Sequence, residues 1–158
     1  MVHDNRMFTA DDLRPVEPAI DRIRHNPTRY LGVRLPTAPF MASALVQDAL
    51  LCGAEDVRVR HYGDKWTLVS ANEDWIIPNI KWERPPTYEH VFRSLIPFPQ
   101  AGVNSFRSEV LVAAFSTDLS VVQGTSVSIC MGSSPPEGVI TCLKSEPFAV
   151  VFRLRDLA

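Results

Sequence analysis

An α+β two-layer sandwich, with helices laid on a mixed and mostly antiparallel sheet, is the fold class this sequence predicts. Three observations carry that reading. Apolar residues at helical spacing gather in the first half of the chain, β-branched alternating segments dominate from residue 119 onward, and a hairpin pattern lies between them at 57–69. Helical and strand segments that are grouped, rather than strictly alternating, suit an α+β assembly. The 158 residues fit one core. The division expected is a short arm at 1–10 followed by a single domain at 11–158.

The elements follow in order. Asp11 and Asp12 can cap a first helix whose apolar positions Val16, Ile20 and Ile23 share a face. Pro15 and Pro18 are tolerable only in its first turn or as a break, and Pro27 ends it. A second helix starts with Thr37 as N-cap and Pro39 in the first turn. It carries Phe40, Met41, Ala44, Leu45, Ala49 and Cys52 near 3.6-residue spacing and stops at Gly53. Val57 to Tyr62 and Trp66 to Val69 alternate about a Gly63-Asp64 turn, which predicts a β-hairpin. Thr87 caps a short helix containing Val91, Phe92 and Leu95, and Ser105 caps another running through Glu109, Leu111, Val112 and Phe115. Strands are expected at 119–122, 126–131, 139–143 and 148–154.

Composition narrows the function classes. Lys and Arg total 16 against 18 Asp and Glu, a formal charge of −2, so no broad nucleic-acid footprint is present. Arg22, Arg24, Arg29 and Arg34 form a mild basic cluster that reads as a solvated helix face rather than a phosphate site. Cys52, Cys130 and Cys142 are widely spaced, without a C-x-x-C pair, as suits buried thiols in a reducing compartment. His3, His25, His61 and His90 show no zinc-binding spacing, so no metal site is expected. The N-terminus lacks an apolar signal core and no run approaches the roughly 18 apolar residues of a membrane span. A cytoplasmic location is expected.

The segment Arg24-His25-Asn26-Pro27-Thr28-Arg29-Tyr30-Leu31-Gly32 resembles the R-x-R-P-x-M-Y-I-G entry segment of gyrase-B-type ATPases. The helix from Met41 to Leu50, then Gly53-Ala54, the hairpin, and the strand end Ala71-Asn72-Glu73-Asp74-Trp75-Ile76 continue in the same order. That order resembles the GHKL ATPase fold shared by gyrase B, heat-shock chaperones, histidine kinases and mismatch-repair ATPases. The resemblance spans about Asp12 to Leu154 and is most specific at 24–32 and 45–76. It implies a single GHKL-like domain at 11–158.

It also implies a nucleotide site whose working residues have been replaced. In active relatives E-x-x-x-N supplies a glutamate that activates water and an asparagine that holds magnesium. Set on Ala44-Leu45-Val46-Gln47-Asp48, the motif puts alanine at the base and aspartate at the metal ligand. Loss of a general base removes roughly 10²–10⁴-fold in rate. The adenine motif D-x-G-x-G falls on Ala71-Asn72-Glu73-Asp74-Trp75, where the anchor is alanine and the glycines are Glu73 and Trp75. The glycine-rich phosphate lid, which cradles phosphates with backbone N–H groups, falls near Gly102 to Ser108 with one glycine surviving, and Arg107 is the residue there suited to an anion. The late-strand threonine of the family falls near Pro147-Phe148 and is not evident.

The expected function is therefore a pseudo-ATPase, a nucleotide-independent domain that uses no cofactor. It binds a non-nucleotide ligand or a protein through a remodelled cleft formed by Ala44, Asp48, Ala71, Glu73, Asp74, Trp75, Ile76 and Arg107. The alternative is an enzyme in which Asp48 and Glu73 perform acid–base chemistry of the isomerase, dehydratase or cyclase type on an apolar metabolite. The partners expected are a small-molecule ligand or a protein, a second copy of the chain included, and neither nucleic acid nor membrane. An enclosed, apolar, carboxylate-bearing pocket would favour the ligand and enzyme readings. A filled cleft beside an exposed apolar patch would favour a protein partner. The loop Pro97-Phe98-Pro99 offers either an exposed aromatic contact or a cover for the core.

Overall fold

A computed structural model describes residues 17–63 and 65–156. The arm at 1–10, the caps Asp11 and Asp12, Val16 and the turn residue Asp64 lie outside the described residues. The first helix that is described, α1, spans Ala19–His25, with Pro18 at its N-cap position and Ile20 and Ile23 buried. Pro27 opens α2, Pro27–Leu31, which ends on Gly32 in a left-handed conformation (φ 70°). Helix α3, Ala38–Leu51, begins as its sequence predicts: the Thr37 hydroxyl accepts the Phe40 N–H at 3.3 Å and Pro39 occupies the first turn. Its buried stripe is Met41, Ala42, Leu45, Asp48 and Ala49.

The hairpin joins β1, Arg58–Tyr62, to β2, Trp66–Ala71. Thr87 caps α4, Tyr88–Phe92, by accepting the His90 N–H at 3.2 Å. Helix α5, Glu109–Phe115, runs directly into β3, Ser116–Gln123. Strand β4, Ser126–Met131, helix α6, Glu137–Cys142, and strand β5, Phe148–Leu154, complete the chain.

The five strands form one open sheet in the order β1-β2-β5-β3-β4, and every neighbouring pair is antiparallel. The α+β class is as expected. The sheet contains no parallel pair among the described residues, and so is not mixed. Strand alternation decides which face each residue serves. Phe148, Val150 and Phe152 of β5 enter the main core with Val69 and Ala71 of β2, Leu119 and Val121 of β3, and the buried sides of α1, α3, α4 and α5. Ala149 and Val151 point the other way. They meet Leu68, Val122, Val139 and Leu143, so α6 covers part of the reverse face.

Two elements differ from expectation. Residues 139–143, expected as a strand, belong to α6 and the turn after it: Val139 and Leu143 are buried on one patch while Thr141, which a strand would put on the same face, is exposed. Helix α5 begins at Glu109 rather than after Ser105. The preceding stretch forms a narrow loop instead, in which Phe98 N–H donates to Ser105 O at 2.9 Å and Arg107 N–H to Ile96 O at 2.8 Å. Phe98 is buried inside this loop beneath the Arg107 guanidinium, and so is not an exposed aromatic contact.

Candidate functional site

Helix α3, the end of β2 and the loop before α5 bring together most of the residues singled out in the sequence. Ala44 lies half-buried on α3, and Asp48, one turn further on, is buried. Ala71 closes β2 and is buried, as are Trp75 and Ile76 just beyond it. Arg107 is buried at the foot of α5. Glu73 is exposed and makes no hydrogen bond or ion pair among the described residues.

Asp48 serves the backbone. Its carboxylate accepts the Ser108 N–H at 2.7 Å, which supplies the first turn of α5 with a partner in the absence of a side-chain cap from Ser108. Burial and then the nearby Glu109 carboxylate push the Asp48 carboxyl up to about 6, against the opposing pull of the Ser108 hydrogen bonds and Arg107. Arg107 and Glu109 form a buried ion pair, with Nε donating to Oε1 at 3.1 Å and to Oε2 at 3.2 Å. Burial works against the Arg107 charge, but Glu109 outweighs it and holds the guanidinium above its ordinary value. Arg107 also donates to the Trp75 carbonyl at 3.3 Å and to the Cys52 sulfur at 3.6 Å, and stacks 5.1 Å from the Phe98 ring centroid. It therefore ties α3, the 75–76 turn and the loop before α5 into one unit. Its charge is spent internally.

The 71–79 segment is held largely by its own bonds, although the buried Trp75 Nε1 has no hydrogen-bond partner among the described residues. Asp74 accepts the N–H groups of Ile76 at 2.7 Å and Ile77 at 3.3 Å, starting a 3-10 turn at Ile77–Asn79, and its other oxygen accepts the Tyr88 hydroxyl at 2.6 Å. Burial and this bond raise the Tyr88 phenol above its ordinary value. Trp75 packs edge-on against Phe148 at 4.8 Å. Asn72 locks the start of the segment to Glu55 by a reciprocal pair of bonds at 2.8 and 3.1 Å.

None of the principal cavities among the described residues is lined by Asp48, Ala71, Asp74, Trp75 or Arg107. A groove of about 660 Å³, the most voluminous of these principal cavities, lies on the other side of α3, against the edge strand β1. Val46, Leu50, Leu51 and Val59 line it, and Leu50 is 58% exposed. Among the described residues no group of three or more His, Cys, Asp and Glu side chains is placed to hold a metal ion, and no helix is long and apolar enough to cross a membrane.

Glu109, the residue that sequence reasoning missed, completes the cluster. Two positions from Arg107 at a helix start, it reads in sequence as an ordinary first-turn acid. Only the fold turns both side chains inward. No protein-family model matches the chain, and a comparison with curated proteins finds no relative.

Proposed function

We propose that this chain is a binding module built on a gyrase-B-type ATPase fold that neither binds nor hydrolyses ATP. One observation supports the reading: the charged groups at the metal-ligand and lid positions, Asp48 and Arg107, are spent on internal partners, and an indole ring fills the adenine position. Asp48 holds the Ser108 amide, Arg107 pairs with Glu109, and Trp75 fills the core against Phe148. Ala44 has no group that can accept a proton from water. A triphosphate entering here would have to displace a neutral buried ion pair and meet Asp48 as a like charge.

A protein partner is favoured over a small ligand for this module, because the polar cluster is filled while an apolar groove stands open between α3 and β1. The acid–base reading retains one supporting observation, the Asp48 carboxyl at about 6 beside Glu109. Against it stand the enclosure of Asp48, 3% exposed and lining none of the principal cavities, and the position of Glu73, the second group of that reading, which is exposed and outside the cluster.

Thermal unfolding with millimolar ATP or ADP and magnesium tests the reading directly. No rise in Tm is expected in Arg155→Gln, a variant remote from the Asp48 cluster, and a rise of several degrees retained in that variant would overturn the proposal. For the enzyme alternative, Asp48→Asn and Glu73→Gln should each abolish turnover while leaving the fold intact.

A further inference from the structure

We propose that the hollow between α1, α4 and the end of β5 binds a small organic phosphate, with the dianion held by Arg24, Arg93 and Arg155 and the organic part resting on Pro18, Ile20 and Met131. The hollow encloses about 380 Å³, a volume at the low end of the range typical of small-molecule sites. It lies apart from the cluster around Asp48 and shares no residue with it.

The three arginines come from three separate elements, so their convergence is a product of the fold and not of local spacing. Arg24 is the fixed member. Its Nε donates to the Ala114 carbonyl at 2.6 Å, which holds the guanidinium plane in place and leaves its terminal nitrogens toward the hollow. The nearest carboxylate, Asp21, stands 3.8 Å away. Arg93 has only a loose partner, Glu89 at 3.7 Å on its own helix. Arg155 follows β5, where its N–H donates to Phe115 O at 2.8 Å, and its side chain makes no ion pair among the described residues.

Three arginines and one aspartate line the hollow, a local charge of 3 − 1 = +2 on a chain whose formal charge is −2. Arg93 and Arg155 reach water, so it is the half-buried Arg24 between them that an anion in the hollow would relieve. Burial, then Arg155 and Arg93 against the opposing Asp21, hold the Arg24 guanidinium below its ordinary value. A phosphomonoester answers each feature: two charges match the surplus, and its oxygens suit the planar fork of guanidinium groups. The Pro18, Ile20 and Met131 wall adds an apolar surface that inorganic phosphate would leave uncovered.

The test is a titration of the ¹⁵N-labelled full-length protein with phenyl phosphate, following the arginine Nε–H resonances, with potassium chloride at matched ionic strength as reference. A saturable shift of the Arg24 resonance is expected, weakened about tenfold in Arg155→Gln and in Arg93→Gln while their backbone spectra stay native. Arg34→Gln, at an exposed position outside the hollow, should bind like the parent. An equal response to chloride, or unchanged affinity in both hollow variants, overturns the proposal. Binding confined to phosphatidic acid vesicles, with no response to phenyl phosphate, overturns the small-molecule assignment.

Discussion

The Asp48 carboxylate accepts the Ser108 backbone N–H at 2.7 Å across 60 positions of sequence, joining the middle of α3 to the start of α5. The bond positions α5, yet the charge that makes it is poorly housed. Asp48 titrates near 6 in the native state against 3.8 ordinarily, so the folded protein binds its proton more tightly than the unfolded chain does. Its contribution to stability is fully present below about 3.8 and is lost as pH rises through about 6. Asp48→Asn keeps an acceptor for Ser108 without the charge. It should stabilise the protein at pH 7.5 by roughly 1–2 kcal/mol, a Tm rise of several degrees, and the gain should vanish near pH 4. Paired thermal melts at the two pH values check this, and a lower Tm for the variant at pH 7.5 would contradict the assignment.

The Arg107–Glu109 pair sets a second expectation. Removing one member strands a buried charge, so Arg107→Met should cost about 3–5 kcal/mol. Arg107→Met combined with Glu109→Leu should recover most of that loss, since two apolar side chains need no partner. Urea denaturation of both singles and the double variant measures the coupling; additive losses would mean that the two groups do not depend on each other.

Asp118 behaves in the opposite sense from Asp48. It is buried, yet the Ser133 N–H at 2.8 Å, the Arg153 guanidinium at 2.7 Å and Thr117 together hold its carboxyl below the usual range. The stability it brings is present above its unfolded value and is lost as pH falls through the depressed native one. Asp118→Asn should cost roughly 1.5–3 kcal/mol at neutral pH and progressively less in acid. A constant penalty from neutral pH down to pH 2 would rule out the charge as its source.

Gly132 turns the chain beside the same carboxylate with φ at 68°. A Cβ here would overlap the Thr117 carbonyl oxygen, which is backbone and cannot yield. Gly124 has a similar φ of 60° but open space around it. Gly132→Ala should therefore destabilise by about 2 kcal/mol or more, and Gly124→Ala by about 1. Equal denaturation midpoints for the two variants would show that conformation alone, and not the Thr117 contact, decides the cost.

What the sequence disclosed was local. The Thr37 and Thr87 caps, the proline boundary at Pro27 and the hairpin at β1–β2 each rest on neighbours a few residues apart, and the structure has them as read. Val139 to Leu143 misled because its β-branched residues mimic a strand. Pro135-Pro136-Glu137 ahead of it was the overlooked helix-start signal, and the i, i+4 pair Val139 and Leu143 marks the buried face. Around the candidate site, the identities of Asp48, Trp75 and Arg107 were visible, but not the fate of their charges and rings. Glu109 pairs with Arg107, and Arg24 joins Arg93 and Arg155, only after distant elements meet. Such pairings leave no mark on spacing, and Arg24 accordingly read as part of a solvated helix face.

The absence of any linker between Phe115 and Ser116 has a mechanical consequence. With the last helical residue followed at once by the first residue of a strand seated between two others, α5 has no hinge at its far end. A push on Asp48 or Arg107 must be borne by β3 itself, and through it by the whole sheet. A segment that swings over a bound molecule requires slack at its root, and α5 has none where it meets β3.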